Sequence, residues 1–265
     1  MIELKNDKIA VPLVLFAGLL WSFGPLVVRY MESPNLVPWQ YIFGRGLTIF
    51  IILNLYLYFE EGTNFYKNYK KVGLSGLIGG SGLGLAMISF IYSITNTSAA
   101  ITLLCLAAMP FFTAILAFLF LKERISINVW ISIFLATVGI VIMALDNNEK
   151  NSIIGFIFAI ISSIGFSVFS VSLRWRKETP KFTTVAVAGL FCFIVATVMI
   201  LAKNQPFFAS SYNSSMFSLH GILVCLGLIL YSIGSKVIQA AELTLLSLTE
   251  VVGGIFWVWL PLFGI

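Results

Sequence analysis

The chain has 265 residues, 59% of them hydrophobic and 10% charged, with a formal net charge of +5. A soluble domain carries about 25% charged residues, so this chain has too few to coat a water-facing surface. Composition excludes an ordinary soluble enzyme and points to an all-α integral membrane protein.

A hydrocarbon core of about 30 Å takes about 20 apolar residues as a helix. Nine such segments are predicted, at 9–28, 39–58, 72–94, 98–121, 129–145, 153–173, 183–201, 219–237 and 243–263. The short N-terminal stretch carries both signs of charge, and the first apolar run lacks a small-residue cleavage site. It therefore reads as a spanning helix rather than a removable leader. In the first segment Trp21 lies near mid-helix and Pro25 interrupts the helix. A proline removes a backbone bond and bends a helix, as a hinge or as a static kink.

The second segment carries Arg45 about six residues inside, between Gly44 and Gly46. A charge at membrane depth costs a few kcal/mol by insertion scales, on the order of 3. Its planar fork suits a carboxylate or phosphate; the bland alternative is a helix-end arginine reaching to the interface. In the third segment Gly76, Gly80 and Gly84 repeat every four residues, a device for close helix packing. Tyr92 and Asn96 follow near its end, and the fourth segment is interrupted by Pro110. The eighth carries His220 at its predicted start, an interfacial position, and Tyr231 further in. In the ninth, Glu250 lies about eight residues deep. It is a candidate to pair with Arg45, carry a coupling proton, contact a substrate amine, or make a structural hydrogen bond. Trp21, Tyr92, Asn96 and Tyr231 combine apolar bulk with a polar tip, which suits a cavity wall or an interfacial belt. Cys105, Cys192 and Cys225 all lie in apolar segments without ligand spacing and read as small buried hydrophobes.

Twelve Lys and Arg residues fall on the N-terminal side of the membrane and three on the other, with Arg45 inside a helix. By the positive-inside rule the N-terminus is cytoplasmic, and nine spans put the C-terminus outside. The positive charge thus reflects topology, and no nucleic-acid-binding element is expected.

The sequence also repeats weakly. Ala99–Leu106 and residues 240–247 match in character, and Phe16-Ala17 can be set against Phe158-Ala159, each at an offset of about 141 to 142 residues. Half-chain similarity marks transporters built from repeats. A five-helix unit is odd in number, so the second copy enters the membrane from the opposite side, making the repeat inverted. The expected units are 1–147, with helices one to five, and 148–265, with helices six to nine. A tenth helix is then missing after Ile265, and a truncated sequence is favoured over a natural nine-helix form.

Thr97-Ser98-Ala99-Ala100, Pro110, Leu121-Lys122-Glu123-Arg124-Ile125-Ser126 and Gly139-Ile140-Val141, with Trp21-Ser22 and Arg45, resemble the EamA-type domain of the drug/metabolite transporter superfamily. The likeness is strong over about 90–145 and looser in the second half, where Val251 stands at the proline position, preceded by Glu250. The resemblance implies a ten-helix inverted-repeat carrier, with helices one to four and six to nine around the substrate path.

The expected function is secondary transport, with export favoured, of a small polar, amino-acid-like metabolite by alternating access. The expected substrate-binding residues are Trp21, Arg45, Tyr92, Asn96, Tyr231 and Glu250. The expected setting is a bacterial inner membrane, as a monomer or homodimer, with a proton or ion as coupling partner and no cofactor. A uniporter or channel-like facilitator is the alternative, with an intramembrane enzyme behind it. No phosphate loop supports an ATP-driven pump, no filter-like loop supports a channel, and one His with mostly loop-borne acids gives little for catalysis. By resemblance, small multidrug exporters use an acid in their first helix; none stands here, which argues against cationic drugs.

Overall fold

A computed structural model describes residues 7–131, 133–135, 138, 152–176 and 178–259. Among these, eight helical runs are long and apolar enough to cross a bilayer: Lys8–Tyr30, Pro38–Asn64, Gly73–Asn96, Ala99–Leu121, Ile153–Trp175, Lys181–Ala202, Ser211–Gly234 and Ala240–Trp257. Helices are forced on such a chain because hydrocarbon offers no partner for backbone N–H and C=O. The fifth predicted segment at 129–145, with Gly139-Ile140-Val141, lies mostly outside the described residues. So does the end of the chain, on which the tenth-helix expectation rests.

Three of the spans are broken. The first consists of α1 (Asp7–Trp21) and α2 (Gly24–Tyr30), with Pro25 in the first turn of α2. The second is α3 (Pro38–Glu61), followed by the short surface helix α4 (Lys67–Lys71). The third is α5 (Gly73–Asn96). The fourth divides into α6 (Ala99–Leu106) and α7 (Met109–Leu116), with Pro110 just after the break, and ends in a π-turn over Ala117–Leu121. Then come α8 (Ile153–Trp175), α9 (Lys181–Ala202) and α10 (Ser211–Gly234). The last described span divides into α11 (Ala240–Leu246) and α12 (Thr249–Trp259). The two later breaks open at Ala107 and Ser247, 140 positions apart, within two residues of the sequence repeat.

The break before α12 forms without a proline. Thr244 and Ser247 hydroxyls donate to carbonyls in α11, and Thr249 Oγ1 donates to Leu246 O at 3.2 Å and across to Leu15 O at 3.1 Å. Hydroxyls thus take up carbonyls that a continuous helix would satisfy. Around the α6–α7 break, serines of α8 do the same from outside. Ser163 donates to Cys105 O at 2.7 Å and Ser167 to Met109 O at 3.0 Å.

The helices interlock in exchange-symmetric pairs. α5 lies along α8 and α9, while α10 lies along α1 and α3, and α3 packs on α9. α6 and α7 flank α8 as α11 and α12 flank α1. Lipid is as apolar as leucine, so packing between helices depends on small residues and close contact. A Cβ on Gly80 would lie 2.9 Å from Thr184 O, one on Gly84 2.5 Å from the Phe191 ring, and one on Gly76 2.9 Å from Thr184 Oγ1. The four-residue glycine stripe is therefore the face of α5 that receives α9. All three cysteines are buried, as read from the sequence.

Candidate functional site

The breaks and the helix centres surround a small cavity lined largely by buried side chains. Trp21 at the end of α1, Arg45 on α3, Met87 and Phe90 on α5, Ser162 and Phe166 on α8, His220 and Val224 on α10, and Glu250 on α12 line it. Its volume is ≈ 70 Å³, room for a few waters, whereas small-molecule pockets run to about 300 Å³ or more. Loading a metabolite therefore requires the helices to part.

Arg45 is 3% exposed. Its Nη2 donates to Met87 O at 2.8 Å, and its guanidinium lies 5.9 Å from the centre of the Phe90 ring. A guanidinium has five N–H donors; among the described residues only this one bond uses them. The carbonyl and the ring fix where the fork sits, and the spare donors remain for another group. Gly46 lets α9 approach closely at this level, since a Cβ there would lie 3.0 Å from Gly189 O.

Glu250 enters the cavity from the first turn of α12. A carboxylate at a helix N-terminus faces the positive end of the helix dipole. Gly18 makes this placement possible, because α1 passes so close that a Cβ on it would lie 3.1 Å from the Glu250 amide nitrogen. Among the described residues no ion pair within 4 Å joins Arg45 to Glu250, so the two face one cavity without direct contact.

Trp21 forms a cavity wall. Its Nε1 donates to Val224 O at 3.2 Å, and its ring packs on Phe166 and Tyr231 at 5.5 and 5.4 Å. Tyr231 stands behind that wall, fully buried, sharing a 2.6 Å hydrogen bond with Ser170. Tyr92 lies away from the cavity lining, between Trp39 and Phe158 at ring distances of 5.0 and 5.2 Å. Asn96 is exposed at the end of α5, where its side chain donates to Tyr92 O at 2.8 Å. The structure thus brings Trp21, Arg45 and Glu250 to one cavity, sets Tyr231 in the layer behind, and leaves Tyr92 and Asn96 towards the helix end.

His220 corrects the interfacial reading. It is 2% exposed, lines the cavity, and shares a hydrogen bond through Nδ1 with the Tyr41 hydroxyl. Its helix starts at Ser211, eight residues before the apolar run, so His220 is deep rather than terminal. The polar stretch Tyr212–Ser215 hid that start. Ser210 was the available signal, a serine at the N-cap position whose Oγ accepts from Asn213 N. Tyr41 stacks on Phe217 at 4.9 Å and holds the imidazole in place.

The family model described as the EamA-like transporter family matches residues 8–145. Two proteins named uncharacterized transporters, from two strains of Helicobacter pylori, are each 25% identical over 206 residues, covering 77% of this chain and 67% of their own length. An uncharacterized transporter of Clostridium kluyveri is 25% identical over 172 residues, 62% of this chain and 52% of the relative. A protein crystal structure overlays with a TM-score of 0.69 over 94% of this chain and 86% of its own, at 18% identity, a likeness of fold alone. The broken spans, the cavity between them and the match over more than half of its length agree: the chain belongs to the EamA-like transporter family.

Proposed function

We propose that the protein is a secondary carrier that exports a small amino-acid-like metabolite by alternating access between two units, 1–147 and 148–265. One observation supports this substrate class above others. A cation, Arg45, and an acid, Glu250, face one cavity with no ion pair between them among the described residues. A ligand with a carboxylate and an amine fits between such groups and satisfies both. Trp21 and Phe166 supply apolar walls for its side chain. The cavity is smaller than such a ligand, so the helices would have to part to admit it.

The twelve-to-three charge split favours a cytoplasmic N-terminus, in a bacterial inner membrane, as a monomer or homodimer. Glu250 and the Tyr41–His220 pair are the groups that would carry a coupling proton. Counterflow in proteoliposomes separates the readings: preloading with unlabelled amino acid should drive uptake of labelled amino acid. A channel-like facilitator gives no such overshoot, and its absence with every amino acid tested would sink the carrier reading.

A further inference from the structure

A second cavity, of ≈ 300 Å³, lies at the cation-rich end of the bundle, lined by Leu173, Arg174, Lys181, Ser235 and Lys236. These residues come from the end of α8, the start of α9 and the end of α10, and the cavity is distinct in lining from the central one. Three of its five residues are cationic and none is acidic. Of the acids nearby, Glu60 and Glu61 line an adjoining cavity that shares Lys236, and Glu123 has both oxygens engaged, Oε1 by Arg174 Nε at 2.7 Å and Oε2 by Ala240 N at 3.1 Å. Arg174 Nη1 donates to the carbonyls of Ser235 and Ile238, which leaves the two N–H groups of Nη2 unused among the described residues. Lys181 Nζ donates to Leu173 O at 2.6 Å and Ser235 Oγ at 3.2 Å, which leaves a third donor.

We propose that this pocket binds a phosphate group, presented by an anionic phospholipid or by a soluble phosphoester. The Glu123 contact and the backbone carbonyls lock Arg174 in one orientation, so Nη2 presents its two N–H groups in a fixed place as charged donors to a phosphate oxygen. Lys181 is held beside it by two bonds and adds a compact positive charge. Basic pockets between spanning helices at the cationic membrane face are where anionic head groups settle. The bound phosphate would tie α8, α9 and α10 together at one end, next to the start of α11, whose first amide Glu123 holds.

The test uses the purified full chain in detergent, with phosphatidylglycerol and phosphatidylcholine compared by native mass spectrometry and inorganic phosphate by thermal shift. Phosphatidylglycerol should be retained over phosphatidylcholine, whose choline brings its own positive charge. The double variant Lys181→Gln/Lys236→Gln should lower that retention roughly tenfold and leave Arg174 and its Glu123 contact intact. Displacement of the lipid by inorganic phosphate assigns both to one site. A phosphate-dependent rise in melting temperature without lipid preference, lost in the variant, assigns the soluble source. Should the double variant not fold, Lys236→Gln alone carries the same comparison with a smaller drop. Equal retention of the two lipids with no phosphate effect, or unchanged binding by a folded variant, overturns the proposal.

Discussion

Arg45 is held by one carbonyl and one aromatic ring, and most of its donors remain unspent. The proposed ligand-binding role rests on those spare donors, since a purely structural arginine would exhaust them on the protein. Arg45→Lys keeps the charge and loses the fork. Since a charge-assisted hydrogen bond contributes about 1.5–3 kcal/mol, ligand affinity should fall roughly tenfold or more. Arg45→Ala should fall further while the protein still inserts, because removing a charge eases insertion. Isothermal titration of the folded variants checks this, and unchanged affinity in folded Arg45→Ala removes the role. Glu250→Gln keeps the shape and loses the negative charge, so it should weaken amine-bearing ligands and spare carboxylates that lack an amine. Arg45, Trp21 and Glu250 were legible as residues because a polar group at membrane depth stands out against its apolar neighbours. His220 was not, because its depth depends on where α10 begins, and a polar first turn is invisible to hydropathy.

At the scale of the helix, the informative elements are the breaks. Pro25 and Pro110 announce two of them, since the missing N–H and the ring end the preceding turn. The third was hidden. Ser247, Thr244 and Thr249 do by hydroxyl bonding what proline does elsewhere, and serine and threonine are too common in such helices to flag it. The break depends on the approach of α1, where Gly18 leaves space for Ser247 O at 2.9 Å from a would-be Cβ. Gly18→Leu should therefore destabilise by about 1–3 kcal/mol, as overpacking does, and displace Glu250 from the cavity. A lowered melting temperature in detergent, with weakened ligand binding, is the expected readout. An unchanged melting temperature would show that the contact is soft. Thr249→Val should cost less, near the average of about 0.6 kcal/mol for a hydrogen bond between membrane helices.

At the scale of the whole molecule, the alternation of apolar segments and basic loops carried most of the fold. Eight of the nine expected spans appear among the described residues, with ends displaced by up to eight residues. The interlocking of α5 with α8 and of α10 with α1 was not legible, because partner choice is written in small-residue contacts that no single helix displays. Orientation is testable on described, exposed positions. A cysteine at Lys70 should resist a membrane-impermeant label added from outside, and one at Lys203 should react, with Cys105, Cys192 and Cys225 buried and giving little background. The reverse pattern would invert the molecule. The central claim is that Arg45 and Glu250 together read the two ends of an amino-acid-like ligand. The most direct measurement is the affinity of the purified protein for one bound amino acid, its amine-free acid and its carboxylate-free amine. The account predicts that each truncated analogue binds roughly tenfold or more weakly, that Arg45→Ala abolishes the preference for the carboxylate, and that Glu250→Gln abolishes the preference for the amine. Equal binding of all three compounds, or preferences unchanged in both variants, would contradict it.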